Sequence, residues 1–164
     1  FVHTLRAECD AVLTGGNTVR LDNPSLTIRK PDRPVSPLKE QPWRIILTHD
    51  ASSIPADSIC LTDEFRDRTL VVENVFNYLE LLKKLYNNKK IGTILLEAGG
   101  CLVREFLKAG LVDEWVGFYA PIIIGGGTDG VAPGPFLEHE AYLEQPVVNI
   151  FGDDVCIRGD ICYR

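Results

Sequence analysis

Short apolar runs alternate with helical patterns along this chain, and the alternation restricts the possible fold more than any other feature. Helical spacing of apolar residues runs over Val75–Tyr86, and Asn74 just before it is the predicted N-cap. Buried strands are predicted at four runs rich in aliphatic and β-branched residues: Asp10–Gly15, Trp43–Thr48, Thr69–Glu73 and Thr93–Glu97. Strands that alternate with helices predict an α/β protein with a largely parallel central sheet.

The C-terminal third predicts one more helix and an antiparallel edge. The apolar pattern of Leu102–Leu107 predicts a helix that closes at Gly110, the glycine expected at the C′ position. The long apolar run Glu114–Ile124 follows. Val147–Phe151 and Val155–Tyr163 predict either a strand and a hairpin or one longer strand with a bulge.

Composition excludes several classes of protein. The chain has 164 residues, the size of one domain, and its 17 basic and 23 acidic residues leave a net charge of 17 − 23 = −6. That balance argues against nucleic-acid or anionic-membrane partners, although a few convergent arginines can still hold a small anion. The five cysteines are odd in number and form no C-x-x-C pair, so neither a disulfide framework nor a zinc site is expected. Reduced thiols predict a cytoplasmic protein.

The first residues look like the interior of a helix. Val2, Leu5 and Arg6 have helical spacing, but no capping residue precedes them. Because native proteins rarely begin within a helix, we expect an upstream segment in the full protein. The Pro- and charge-rich stretch Lys30–Gln41 is interpreted as an exposed connection inside a single domain that covers residues 1–164.

The densest cluster of polar and glycine residues lies in Gly15–Arg29. Glycines after a strand let the backbone approach a ligand, and successive N–H groups can bind an anion. Arg20 and Arg29 add guanidinium groups that suit phosphate. The alternative is an ordinary turn, because Asp22–Ser25 has good turn chemistry by itself. The residues alone leave both interpretations open.

A second candidate site begins at Glu97, where a strand runs through Gly99 and Gly100 into a helix. Ligands of open α/β sheets bind beyond the carboxyl ends of the strands, and a glycine-flanked helix start suits a pyrophosphate. The glycines of Gly125–Gly130 formally satisfy G-x-G-x-x-G, but prolines follow instead of a helix. That stretch is therefore interpreted as a flexible loop near a site.

Three stretches together resemble the reductase domain of the RibD type, the pyrimidine reductase of riboflavin biosynthesis. They are LRAECDAVLTGGNTVRLDNPSLTIR, LLEAGGCLVREFLKAGLVDE and APIIIGG, and they occur in family order over most of the chain. The resemblance implies a dihydrofolate reductase-like three-layer fold with a mostly parallel central sheet and antiparallel C-terminal strands. It also implies a homodimer that uses NADPH to reduce the ribosyl group of a phosphorylated ribosylaminopyrimidine.

The resemblance further implies a role for individual residues. Substrate-binding residues would be Arg6, Leu26, Arg29 and Glu97. Cofactor-binding residues would be Thr18, Asp22, Gly99, Gly100, Cys101, Leu102 and Val103. Asp22 is the candidate catalytic residue, because it is expected near the place where both ligands meet and could assist proton delivery. No metal is implied.

The family pattern also includes an upstream strand and a K-x-A-x-S-x-D-G loop that nothing in this chain matches. The expected fold therefore lacks its N-terminal strand. Two alternatives stay open: another NADPH reductase of the dihydrofolate reductase-like fold, and a non-catalytic dimerising fragment. Arg6 and Arg29 argue against a pterin reductase, which needs no phosphate clamp at that edge.

Overall fold

The computed structural model describes residues 1–29, 40–123 and 140–164. These residues form two compact units, Phe1–Gly99 and Gly100–Arg164. The glycine-rich loop Gly125–Gly130 and most of the connection Lys30–Gln41 lie outside the described residues. The expectation of one domain over residues 1–164 stays a prediction.

The first unit is built on a four-stranded parallel sheet. Its strands are β1 (Ala11–Gly15), β2 (Trp43–Thr48), β3 (Thr69–Glu73) and β4 (Ile94–Leu96), in the order β3-β2-β1-β4. Val12, Leu13, Ile45 and Ile46 of the two central strands have no solvent-exposed surface. Both faces of a parallel sheet are usually covered, which explains why these strands are continuous apolar runs. All four predicted strands are confirmed.

Four α-helices belong to the same unit: α1 (Val2–Glu8), α2 (Gly16–Asp22), α3 (Ile59–Thr62) and α4 (Tyr78–Lys89). The predicted start of α4 at Asn74 is wrong. The N-cap is Asn77, whose side chain accepts a hydrogen bond from the Glu80 N–H at 3.0 Å. Asn74 has a left-handed backbone conformation (φ 51°) and donates its N–H to the Thr48 carbonyl. It therefore lies at the end of β3, still paired with β2, and does not cap a helix.

Helix α2 occupies a segment where the sequence indicates a glycine loop or a turn. Gly16 is its first residue, and a Cβ there would lie only 2.9 Å from Ile54 Cδ1 and 3.0 Å from Thr48 Cβ. Val19 of α2 packs with Ile46 and Ile54 in the core, which fixes the helix on the sheet. The turn is confirmed only after the helix, where Asn23 adopts left-handed backbone (φ 42°).

The second unit joins one helix to an antiparallel sheet. Helix α5 (Gly100–Lys108) is followed by β5 (Glu114–Tyr119), β6 (Ala141–Phe151) and β7 (Asp154–Tyr163), in the sheet order β5-β7-β6. Strands β6 and β7 form a hairpin with a bulge between Glu144 and Val147, so the predicted antiparallel C-terminal strands are confirmed. Strand β6 starts at Ala141, six residues before the predicted start.

The C-terminus of α5 follows the predicted glycine rule. Gly110 has φ 64° and donates its N–H to Leu107, while the Leu111 N–H bonds to the Phe106 carbonyl. These two bonds form a Schellman motif, which only a residue tolerant of left-handed backbone can close without strain. Within the described part of the chain, none of the helices has the length and apolar character to cross a membrane.

Candidate functional site

The candidate site lies at the carboxyl edge of the parallel sheet. Strands β1 and β4 are neighbours, with Leu13 opposite Leu96. The Glu97 N–H continues this ladder with a 2.9 Å hydrogen bond to the Leu13 carbonyl. Glu97 is therefore held rigidly at the strand end, where open α/β sheets bind their ligands.

Arg6 and Glu97 form a two-pronged ion pair across this edge. Arg6 Nε lies 2.9 Å from Glu97 Oε2, and Arg6 Nη2 lies 2.6 Å from Glu97 Oε1. The Arg6 side chain is 8% exposed, whereas the Glu97 side chain is 35% exposed. Both residues were expected to meet the substrate, and the structure shows that they also contact each other. The carboxylate faces solvent, and the guanidinium supports it from inside.

Arg6 also fixes the segment that contains two further predicted substrate residues. Its Nη1 donates to the Thr27 carbonyl at 2.9 Å, and His3 Nδ1 lies 3.1 Å from the same oxygen. Leu26 just before Thr27 is 1% exposed and has left-handed backbone (φ 53°). The structure thus brings Arg6, Glu97 and Leu26 into one neighbourhood, with the Arg29 side chain exposed at its end.

The predicted cofactor residues of α2 share one face of that helix. Thr18 and Asp22 are four residues apart, which places them one helical turn apart on the same side. Thr18 is half-buried and Asp22 is exposed at the last helical residue. Neither side chain has a hydrogen bond to the Arg6–Glu97 pair among the residues that the structure describes.

The two glycines after β4 differ in position: Gly99 precedes α5 and Gly100 is its first residue. Gly99 is exposed, its φ is not left-handed, and a Cβ there would meet no described atom within 4 Å. Neither packing nor backbone conformation therefore requires glycine at position 99. Gly100, Cys101, Leu102 and Val103 form the first turn of α5, whose N–H groups have no partners inside the helix. Such a turn is an anion-binding element.

Sequence reasoning missed Arg44, a charged residue in the middle of the predicted apolar strand Trp43–Thr48. Its guanidinium forms two hydrogen bonds with Asp63, at 2.7 and 2.8 Å, and donates to the Ser25 carbonyl at 3.1 Å. These bonds hold the pKa of the Asp63 carboxyl below its usual range. One signal was available in the sequence, because a charge inside a buried strand needs a partner.

Trp43 is the first residue of β2 and lies at the amino ends of the strands, opposite the candidate site. Arg68 and Lys89 pack on its ring, with their charged groups 5.0 and 4.4 Å from the ring centre. They line a shallow groove of about 360 Å³ at the amino ends of the strands. Because ligands of parallel sheets bind at the carboxyl ends, the groove is not the candidate site.

Comparisons with known proteins show which family the chain belongs to. Residues 1–157 match the family model described as RibD C-terminal domain. The chain is 34% identical over 130 residues to the riboflavin biosynthesis protein RibD of Mycobacterium tuberculosis (strain ATCC 25618 / H37Rv), which covers 79% of this chain and 35% of that protein. It is 32% identical over 145 residues to the 2,5-diamino-6-ribosylamino-4(3H)-pyrimidinone 5′-phosphate reductase of Aquifex aeolicus (strain VF5), covering 77% of this chain and 63% of that protein.

Among solved structures, Acinetobacter baumannii RibD (form 2) superposes with a TM-score of 0.83 at 25% identity, over 98% of this chain and 49% of that chain. The dihydrofolate reductase-like fold that the resemblance implied is confirmed. The chain spans between about a third and a half of the RibD relatives that it matches. On the match over residues 1–157, the chain belongs to the RibD C-terminal domain family.

Proposed function

We propose that this chain is an NADPH-dependent reductase of riboflavin biosynthesis. It would reduce the ribosyl group of 5-amino-6-(5-phosphoribosylamino)uracil to the ribityl form. The observation that carries the proposal is the half-exposed Glu97 carboxylate, which buried Arg6 holds at the carboxyl edge of the sheet beside the Leu26 segment. Relatives named as RibD and as a pyrimidinone 5′-phosphate reductase support the same activity.

The substrate contacts divide between orientation and charge. Glu97 can accept hydrogen bonds from hydroxyl or amino groups of the sugar and pyrimidine, because Arg6 leaves lone pairs on both of its oxygens. Three of the five Arg6 N–H groups donate to Glu97 and to the Thr27 carbonyl. One N–H on each terminal nitrogen is therefore left for a substrate oxygen. Arg29, with its exposed side chain, is the better candidate for the phosphate monoester.

The cofactor contacts are proposed at α2 and at the start of α5. Gly99 leaves open the space that a side chain would fill, and the first turn of α5 offers unpaired N–H groups that suit a pyrophosphate. Thr18 and Asp22 lie on one face of α2 and are proposed as further cofactor contacts. The nicotinamide ring supplies a hydride for C1′ when it is bound.

Asp22 is proposed to assist proton delivery in the reaction. Reduction adds a hydride to C1′ and breaks the C1′–O4′ bond, and the released ring oxygen takes up one proton. A group that assists delivery of that proton must therefore lie near the sugar ring oxygen. The exposed position of Asp22 at the end of α2 gives the carboxylate direct access to water, the source of that proton. Cytoplasmic location stays a prediction from the scattered cysteines.

The first experiment is a calorimetric titration with NADPH and, in parallel, with NADH, followed by turnover with the phosphorylated pyrimidine. Micromolar binding that prefers NADPH, together with consumption of NADPH only when the pyrimidine is present, is the expected result. Turnover of dihydrofolate instead would assign the chain to a different reductase. A folded dimer without either activity would identify a non-catalytic fragment.

Arg29→Ala is expected to raise KM for the phosphorylated substrate about tenfold or more, because a guanidinium–phosphate contact is lost. Affinity for NADPH should stay within about twofold, since Arg29 is not placed at the cofactor. Steady-state kinetics with each substrate varied in turn would measure both effects. Arg66→Ala is the matched control, because Arg66 is also exposed but precedes β3 at the opposite edge of the sheet. Equal losses for both ligands would contradict the assignment of Arg29.

We also propose that the chain forms a homodimer through β6. This strand lies at the edge of its three-stranded sheet and exposes 57% of Val147, 61% of Val148 and 75% of Ile150. An edge strand with exposed apolar side chains requires a cover, and a second copy supplies one. Sedimentation should show twice the 18.2 kDa chain mass, and Ile150→Lys should shift the protein towards the monomer. A wild-type monomer at micromolar concentration would refute the proposal.

A further inference from the structure

Arg44 is the most unusual residue of the parallel sheet. It lies in β2, between β1 and β3, and is 1% exposed. Its Nη2 donates to the Cys60 carbonyl at 2.9 Å in addition to the Asp63 pair, whereas its Nε is buried without a partner among the described residues. A full positive charge therefore lies inside the sheet, opposite the apolar side chain of Val12 in β1.

Stability by itself does not explain such a residue. Taking a guanidinium and a carboxylate out of water costs about as much as their attraction returns, and apolar replacements of buried ion pairs are often as stable. The unpartnered Nε adds to that cost. A buried charge of this kind is better explained by the geometry that it imposes on its neighbours.

Arg44 fixes the backbone of residues 23–29, the segment that contains the proposed substrate residues Leu26 and Arg29. Its Nη1 bonds both Asp63 and the Ser25 carbonyl, so one nitrogen joins the α3 region to the backbone just before Leu26. A second tie runs in parallel, because the Ile59 N–H donates to Asn23 Oδ1 at 2.8 Å. The segment from Asn23 to Ser25 is thereby anchored at two points to residues 59–63.

The backbone from Asn23 to Leu26 contains two residues whose conformation needs support from neighbouring contacts. Asn23 and Leu26 both have left-handed φ angles, of 42° and 53°, and Leu26 has a branched side chain that disfavours this conformation. Strained residues keep such angles only where the surrounding contacts over-determine them. Arg44 holds the segment on one side of Leu26, and Arg6 holds Thr27 on the other.

We propose that Arg44, locked by Asp63, is a positioning residue that sets the affinity for the phosphorylated substrate without touching it. This inference rests on the proposed function, because it concerns the segment that presents Leu26 and Arg29 to that substrate. Arg44 acts by keeping the Ser25 carbonyl, and through it the Leu26 backbone, in the binding-competent position. The proposed cofactor residues Thr18 and Asp22 lie on α2, which is fixed to the core separately through Val19.

The test compares Arg44→Lys and Asn23→Gly with the wild-type protein. Lysine keeps the charge but cannot join Asp63 and Ser25 in a fork, and glycine keeps the left-handed backbone while it deletes the tie to Ile59. Arg44→Lys should raise KM for the phosphorylated pyrimidine about tenfold, the loss expected for one charged hydrogen bond, and should leave KM for NADPH within about twofold. The double variant should lose less than the product of the single losses, because both changes release the same segment.

Arg68→Lys is the matched control. Arg68 also pairs with a carboxylate, Glu40 at 2.6 Å, but it packs on Trp43 at the other edge of the sheet. Arg68→Lys should leave KM for the phosphorylated pyrimidine and KM for NADPH unchanged. Folded Arg44→Lys protein with unchanged substrate KM, or with equal rises for substrate and NADPH, would overturn the proposal. If Arg44→Lys does not fold, Asn23→Gly decides by the same criterion.

Failure of the proposed function gives a different result from failure of this inference. Wild-type protein that does not turn over the pyrimidine refutes the function. Amide hydrogen exchange at Leu26 and Thr27 then tests the linkage without any substrate. Exchange at least about tenfold faster in Arg44→Lys, with unchanged exchange in β1, supports the positioning role. Unchanged exchange at Leu26 and Thr27 overturns it.

Discussion

Arg6→Met is expected to lower the free energy of unfolding by about 2–3 kcal/mol and to reduce kcat/KM about a hundredfold or more. Methionine fills much of the buried volume but removes every donor that holds Glu97 and the Thr27 carbonyl. The Glu97 carboxylate then has no buried partner to fix its direction. Small displacements of a group that orients a substrate can cost about two orders of magnitude in rate. Chemical denaturation and steady-state kinetics measure the two losses.

Arg158→Met is the control for this prediction. Arg158 also forms a two-pronged pair with a carboxylate, that of Glu114, but the two side chains are 34% and 39% exposed. Water screens such a pair, so its removal should cost below about 1 kcal/mol. If Arg6→Met and Arg158→Met lowered the free energy of unfolding equally, burial would not explain the contribution of the Arg6–Glu97 pair to stability. A stable Arg6→Met protein with normal kcat/KM would remove the pair from the site.

Glu97→Gln separates orientation from charge at the same position. The amide keeps the size of the carboxylate but can accept from Arg6 through one oxygen only. Its stability loss should be at least as large as that of Arg6→Met, because the buried Arg6 guanidinium keeps its charge and loses the carboxylate that balances it. In Arg6→Met the charge left alone is that of Glu97, which is partly exposed to water. The double variant with Arg6→Met should show strong coupling, as expected for two residues in direct contact.

The strands were predictable because each one is coded locally. Strand β2 covers Trp43–Thr48, as the apolar run indicates, and α5 closes at Gly110 as the glycine rule requires. A buried parallel strand needs only a short aliphatic stretch, and a Schellman motif needs only one residue with left-handed backbone. Neither feature depends on a distant part of the chain.

The hydrogen-bond network of the candidate site could not be predicted from the sequence, and the functional roles of its residues stay predictions. Arg6 and Glu97 are 91 positions apart, and no periodicity shows that each is the other's partner. The same is true of Arg44, whose role depends on Asp63 and Ser25 at three separate places in the chain. Charges that look free to meet a ligand in the sequence are partly used within the protein.

Helix α2 was missed for a related reason. Gly16 has low helix propensity and resembles a loop residue, but tertiary packing against Thr48 and Ile54 requires it at the first helical position. At Gly99 the same residue type has no such neighbours. Packing thus requires glycine at position 16 but not at position 99. Only the three-dimensional surroundings distinguish the two residues.

That contrast predicts opposite outcomes for one substitution at two positions. Gly99→Val should leave the free energy of unfolding within about 0.5 kcal/mol of wild type, because the added atoms enter open space at a residue without left-handed φ. It should weaken NADPH binding about tenfold or more, since the side chain would occupy space that the proposed cofactor needs. Calorimetric titration and thermal unfolding measure the two quantities on the same sample.

Gly16→Val, in contrast, should destabilise the fold by about 3 kcal/mol. Its first added carbon would lie 2.9 Å from Ile54 Cδ1 and 3.0 Å from both Thr48 Cβ and Thr48 Oγ1. The flexible end of Ile54 can move, but Thr48 Cβ is attached directly to the β2 backbone and cannot. Thermal unfolding of both variants measures this difference in stability. If Gly99→Val binds NADPH normally, the strand end after β4 is not a cofactor site, and the open space at Gly99 needs another explanation.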